Sequence, residues 1–232
     1  MTEYRNEWKY ICTEIDLEIL RRRIAPLMPL DKNQKGQSCY NIRSLYFDDE
    51  ADSCFYANTE GLDHRKKFRI RIYNRSSQRI RLEIKHKVHG LTRKESCALT
   101  EEQCRTLMRG ELLPIRSEDP KPLRDLCLAM RTKRMRPVEI VEYERTAYVY
   151  PVGNVRVTFD RNIAGSKFVE KFLDEDLPLL PVLPAGQHVL EVKHDELLPS
   201  FLASAIDTGR LEQTAFSKYY LCRLRLKNLR GE

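Results

Sequence analysis

The sequence predicts an α+β domain, a mostly antiparallel sheet with helices packed against it. Three observations carry this. Four segments alternate apolar with charged residues at period two, the connections between neighbouring segments are short and polar, and helical-period stretches stand apart, bounded by capping and breaking residues.

In chain order, Asp16 to Met28 has helical period, with Leu17, Leu20, Ile24 and Leu27 on one face, Arg21 to Arg23 mostly on the others, and Pro29 as the stop. Lys67 to Tyr73 alternates: Phe68, Ile70 and Ile72 face one way, Lys67, Arg69 and Arg71 the other. Arg79 to Lys87 repeats the pattern, Ile80, Leu82 and Ile84 opposing Arg79, Arg81, Glu83, Lys85 and Lys87. Asn74 to Gln78 and the Gly90 turn are short enough for antiparallel hairpins. Thr100 and Gln103 form a capping box, and Gly110 closes the helix they open. Further helices are expected at Pro122 to Met130, Ser200 to Ile206 and Ser217 to Leu226. Tyr143 to Tyr150 is a strand with less regular alternation. Val155, Val157 and Phe159 oppose Arg156, Thr158 and Asp160, and Leu190 and Val192 oppose Glu191, Lys193 and Asp195.

No composition shift or low-complexity linker divides residues 1–232, so a single domain is expected. Lys and Arg number 41 against 34 Asp and Glu, an excess that favours anionic partners and leaves nucleic acid, phosphoesters and acidic lipid open. The start lacks a basic stretch followed by an apolar one, and no apolar run approaches the roughly 20 residues that cross a bilayer. The seven cysteines are scattered and never spaced CxxC, as expected of reduced thiols in the cytoplasm. The sequence contains no P-loop or Rossmann fingerprint, its five histidines have no metal-ligand spacing, and the basic runs at Arg21 to Arg23 and Arg131 to Arg136 read as solvated faces.

The charged rows admit two readings. Half-buried strands ordinarily turn a polar face to water. Here, however, long cations recur at spacing two on four strands, and like charges opposite one another across a ladder cost up to about 1 kcal/mol per pair. An anion held between the rows would remove that cost. A sheet that closes with its apolar faces outward, beneath the helices, would leave such an anion in a channel.

Glu7-Trp8-Lys9-Tyr10, Ser44 to Asp48, Arg69 to Tyr73, Leu82 to Lys85, Tyr143 to Arg145, Arg156 to Asp160, Leu190 to Lys193 and Ser217 to Tyr219 occur in an order that resembles the VTC-type polyphosphate polymerase domain, of the triphosphate tunnel metalloenzymes. The resemblance runs from about Glu7 to Tyr219 and implies a closed antiparallel β-barrel, the triphosphate tunnel, with helices outside. It further implies that Lys9, Arg69, Arg71, Lys85, Arg145, Arg156 and Lys218 act on phosphate in catalysis, with Lys94, Tyr143 and Ser217 binding it. Lys193 joins these by its place on the charged row. Glu191 matches the family's metal-binding carboxylate, Glu83 is a second candidate, and the ion is Mn²⁺ or Mg²⁺. The implied substrates are ATP and polyphosphate, or inorganic triphosphate, with a membrane-protein partner in reach of some family members. Nucleic acid is disfavoured, because no aromatic RNA-binding strand motif accompanies the basic rows.

One departure bears on the reaction. Hydrolytic branches of the superfamily carry Glu-x-Glu-x-Lys on the first strand, and Arg5 stands here in place of the first Glu, leaving Glu7 and Lys9. This favours transfer to a phosphate acceptor, a polyphosphate polymerase, over a triphosphatase. A polyphosphate-binding module without turnover is the third reading.

Overall fold

Among the described residues, alternation becomes pleat in nine strands: β1 (Asn6–Thr13), β2 (Tyr40–Asp48), β3 (Arg65–Tyr73), β4 (Ser76–Val88), β5 (Leu91–Leu99), β6 (Arg136–Tyr150), β7 (Val155–Ser166), β8 (Leu180–Pro181) and β9 (Gln187–His194). The α-helices among them are α1 (Glu14–Ile24), α2 (Ser53–Thr59), α3 (Glu101–Met108), α4 (Lys121–Lys133), α5 (Ser200–Ile206) and α6 (Lys218–Asn228). The structure is a computed structural model that describes residues 5–34, 36–61, 64–207 and 209–228. The leading residues Met1 to Tyr4, on which the expected lack of a secretory signal partly rests, lie outside them.

Every strand pairing is antiparallel, in the order β1-β9-β7-β6-β2-β3-β4-β5 with β8 beside β7, so the expected α+β antiparallel architecture is present. The hairpins are tight. Asn74 and Arg75 join β3 to β4 at φ 51° and 54°, and His89 and Gly90 join β4 to β5 at φ 47° and 80°, the left-handed pairs whose twist suits a two-residue turn.

Helices α1, α3, α4 and α5 cover the apolar sides of the strands, whereas α6 meets the inward face, Tyr219 beside Tyr46 and Lys218 beside Asp160, in place of the expected packing of every helix outside. Leu17, Leu20 and Ile24 of α1, with Leu202 and Ile206 of α5, pack on Val155, Val157, Phe159, Leu190 and Val192. Leu107 of α3 and Leu123 and Leu126 of α4 belong to a second cluster with Ile70, Leu82 and Ile84. Each of these side chains is nearly or fully removed from water, which at about 25 cal/mol per Å² makes the two layers the main source of stability.

Three helix boundaries are corrected, that of α4 by running on from the expected Met130 to Lys133. The first helix begins at Glu14, because Thr13 accepts from the Asp16 amide while Asp16 caps Thr13 in return, and it ends at Ile24, well before Pro29. Leu27 therefore leaves the buried face and is 39% exposed, and Met28 takes the core position. The last helix starts at Lys218 and runs on to Asn228. The capping box of Thr100 and Gln103 forms as expected.

A ladder that closes the expected barrel is not found among the described residues. The sheet curls until β1 and β5 meet, and among the described residues the seam holds one isolated bridge, Arg5↔Thr92, made by two backbone hydrogen bonds of 3.1 and 3.2 Å. Further along, the free edge of β1 is taken by the segment before α6: Tyr10 bridges Gln213, and the Thr214 amide donates to the Lys9 carbonyl at 2.8 Å.

A bulge interrupts the pairing of β7 with β6. Between Glu142↔Ala164 and Glu144↔Arg161, β7 carries one more residue than β6, at Asn162, whose φ is 52°.

Candidate functional site

The period-two rule assigns one side chain of each pair to the concave face, and the register aligns these rows from strand to strand. Glu7 and Lys9 sit opposite Lys193 and Glu191, Arg156 and Thr158 come next on β7, Asp160 faces Arg145, and Tyr40, Ser44 and Tyr46 lead to Arg71 and Arg69. Arg69 faces Glu83, Lys67 faces Lys85, and Lys85 faces Lys94.

These rows converge on a shared interior, since side chains from strands with no common ladder touch across it. Lys85 of β4 reaches Glu7 of β1, with 2.8 Å to each carboxylate oxygen. Arg71 of β3 donates to the Tyr143 hydroxyl of β6 at 3.3 Å, Arg145 of β6 to Glu191 of β9 at 3.2 Å, and Arg156 of β7 to the Tyr40 hydroxyl of β2 at 3.1 Å. Arg71 is 7% exposed, and Glu191 is 4% exposed, so the charged face is enclosed.

Two groups form within this chamber. In the first, Glu7 binds Lys9 and Lys85 at 2.8 Å, Glu191 binds Lys193 at 3.0 Å, and Asp160 holds Arg145 through two 2.6 Å hydrogen bonds while Lys218 Nζ shares its Oδ2 at 2.6 Å. In the second, Glu83 takes Arg69 at 2.7 Å and Lys94 at 3.1 Å, with Arg71 at 3.6 Å. Tyr143 joins them: it accepts from Arg71 while Arg145 and Lys218 lie 5.2 and 5.0 Å from its ring centre.

The electrostatics come from burial and pairing. Burial alone raises Glu7, but Lys85, Lys193 and Lys9 together hold it well below the usual carboxylate range. Glu191, raised by burial and by Glu7 beside it, is still lowered on balance by Lys193, Lys218 and Lys9. Glu83 is held well below the range against the same burial effect by Arg71, Arg69 and Lys94. Asp160 is lowered too, against its own burial, by Arg145 and Lys218. These four inward carboxylates are therefore anions at neutral pH, and their oxygens are engaged by cations. Lys85 is pushed down by burial to about 7 in spite of Glu7.

Of the remaining expected residues, Arg156 stands at the rim, paired with Asp31 at 2.8 Å. Ser217 lies at the entrance to α6, where Lys67 Nζ approaches its hydroxyl at 3.4 Å. Glu83 and Glu191 belong to separate groups, and no direct interaction joins them among the described residues. Arg5 pairs with Asp195 at 2.9 Å.

Three inward residues escaped the site reading: Glu7 as the clasp of the seam, Asp160 as the anchor of Arg145 and Lys218, and Lys67. Lys67 and Asp160 stood on charged rows already recognised in the sequence, and Glu7 in the first-strand motif. What hid them was cross-strand pairing, which no local pattern encodes.

Comparison with known proteins bears on the family. Similar solved structures include the PH1819 protein of Pyrococcus horikoshii OT3, 14% identical, with 97% of this chain and 99% of that one covered at a TM-score of 0.47. A putative adenylate cyclase of Bacillus halodurans is 12% identical over 88% of this chain and 86% of that one, with a TM-score of 0.49. The Mimivirus capping enzyme triphosphatase is 11% identical over 86% and 87%, with a TM-score of 0.37. No curated protein matches the sequence. The family rests on a stronger match, to the VTC domain over residues 4–227. Because that match spans nearly all of the sequence, the chain belongs to the VTC domain family.

Proposed function

We propose that the chamber binds the triphosphate of ATP and transfers its γ-phosphoryl group to a phosphate acceptor, building polyphosphate. The observation that carries this reading is the convergence of cationic rows from the strands on one enclosed space, in which each inward carboxylate of the two groups is already held by Lys or Arg.

Arg69, Arg71, Arg145 and Arg156 present planar forks suited to phosphate oxygens, and Lys9, Lys85, Lys94, Lys193 and Lys218 add mobile point charges. Tyr143 and Ser217 supply hydroxyl donors. With the triphosphate in place, these groups hold the γ-phosphoryl in line with its acceptor and offset the charge that spreads over its oxygens. A terminal phosphate oxygen is an anion at neutral pH and attacks without a base. A water nucleophile has to lose a proton, and carboxylates as acidic as Glu7, Glu83, Asp160 and Glu191 are weak bases. This supports transfer over hydrolysis.

The donor set also fits a divalent ion. Glu191 and Glu7 lie side by side and ionised, whereas Glu83 is enclosed by Arg69 and Lys94. No three His, Cys, Asp or Glu side chains gather as a metal cluster among the described residues, so phosphate oxygens of the substrate would complete the coordination of Mn²⁺ or Mg²⁺. A bound ion supplies positive charge to those oxygens.

The test is incubation of the purified protein with ATP and Mn²⁺. ADP release with polyphosphate visible on a gel, both lost in Glu191→Gln and Arg71→Ala, is the expected result. Free phosphate without chains identifies a triphosphatase, and binding of polyphosphate without turnover a sensor. Failure to bind either anion overturns the reading.

A further inference from the structure

Every cation of the two groups described above has a carboxylate within ion-pairing distance. Lys67 lies on the same inward row, two positions before Arg69 and opposite Lys85, and no carboxylate among the described residues forms an ion pair with it. Its amine meets a hydroxyl and a ring instead: Ser217 Oγ at 3.4 Å and the centre of Tyr219 at 4.8 Å.

The acids around it are committed elsewhere. Asp48 of β2 accepts from the Asp49 and Cys54 amides at 2.9 and 2.8 Å through one oxygen, and from the Phe55 amide at 3.1 Å and the Tyr219 hydroxyl through the other. Glu139 of β6 is fully buried, and burial drives its carboxyl well up from the usual range, towards the neutral acid.

The other neighbours bring no negative charge. Arg65 on the same strand and Lys9 on β1 repel the amine, and Lys85 faces it across the ladder. Burial keeps Cys54 of α2 a neutral thiol and Tyr219 of α6 a neutral phenol. An ammonium in such surroundings is costly, and the amine is accordingly lowered to about 8, chiefly by burial.

We infer that Lys67 is a further phosphate-binding residue of the chamber, its amine and the Ser217 hydroxyl together holding a phosphate oxygen of the ligand where the other cations have a carboxylate. This rests on the reading of the chamber as a triphosphate site. Because the missing negative charge comes with the ligand, the amine takes up a proton as phosphate arrives. A phosphate oxygen beside it raises its affinity for that proton, so its contribution to binding is complete below about pH 8 and fades as the pH climbs through the higher, ligand-bound value.

The test compares the native protein with Lys67→Met, which keeps an apolar stem over the Tyr219 ring and removes the charge. Isothermal titration with tripolyphosphate at one fixed Mg²⁺ concentration gives the affinities, and repeating it in two buffers of different ionisation heat counts the protons. At pH 7 the variant should bind about tenfold more weakly, the loss of one hydrogen bond from a charged donor. At pH 8 the native protein should take up about half a proton more per site than the variant, and the gap in affinity should narrow as the pH is raised further. Lys67→Gln, uncharged but polar, repeats the comparison should methionine disturb the ring.

A denaturant midpoint no lower than that of the native protein shows that weaker binding does not come from a damaged fold. Equal affinities at pH 7, or equal proton counts at pH 8, overturn the inference while leaving the triphosphate reading intact. A native protein that binds no tripolyphosphate sinks that reading and this inference with it.

Discussion

Glu7 and Lys85 stand 78 positions apart on strands that share no ladder, yet the lysine amine is equidistant from both carboxylate oxygens, at 2.8 Å. With Thr92 donating to the same carboxylate at 3.2 Å, this pair joins by side chains the seam that the backbone bridges at Arg5 and Thr92.

Glu7→Gln should therefore loosen the seam and leave Lys9, Lys85 and Lys193 facing one another. A stability loss of about 2 kcal/mol is expected, less than for a wholly dry pair because Lys85 and Lys193 are partly hydrated. Chemical denaturation measures it. The same variant should need more divalent ion for half-maximal turnover.

The two carboxylates proposed for metal are separable by titration. Glu191→Gln should abolish metal-dependent turnover. Glu83→Gln should leave the metal concentration dependence unchanged and weaken triphosphate binding, because it frees Arg69, Arg71 and Lys94 from their shared counter-ion and disorders their geometry. A metal dependence shifted equally by both variants would contradict this assignment.

Arg145→Lys should behave as a damaging change. Arg145 donates twice to Asp160 and once to Glu191, a geometry the single amine of lysine cannot reproduce. Expected are a stability loss on the order of 2 kcal/mol and a kcat/KM for ATP lower by about 10²-fold. A thermal melt and steady-state kinetics check the two separately.

Lys67 gives a pH signature. Burial, helped by the positive charges of Arg65 and Lys9, lowers its amine from 10.5 to about 8. Between those values the unfolded chain holds a proton that the folded chain does not, so stability rises with pH across this window, and below 8 the penalty is fully present. Lys67→Met should stabilise the ligand-free protein at pH 7 by on the order of 2 kcal/mol and flatten the rise. Denaturant midpoints at pH 7 and pH 10 test it.

Much of the architecture was legible in the sequence because it is written at period two. Phe68, Ile70 and Ile72 against Lys67, Arg69 and Arg71 already separated the helix-covered face from the chamber, and the structure keeps that division. The capping box of Thr100 was equally local. What escaped depends on distant partners. Nothing around Gln213 marks it as the residue that fills the β1 edge, and α6 carries buried Tyr219 and Cys222 beside Lys218 without a clear apolar stripe, as befits a helix seated among ion pairs. Asp160 was placed on its row correctly, but its service to Arg145 and Lys218 required knowing which strand lies next.

The extra residue at Asn162 sets what β7 shows to the interior. Counting alternately from Asp160, Gly165 would point outward; one added position reverses the parity, so that the strand offers an acid at one level and a gap for Cys222 at the next. Changing the side chain there, for instance to glycine, should be tolerated, since the left-handed backbone is what is needed. Deleting the position would turn Ile163 to Ser166 over as a block, taking away the helix's berth while preserving every other letter of the chain. In this stretch evolution can vary spelling more freely than length.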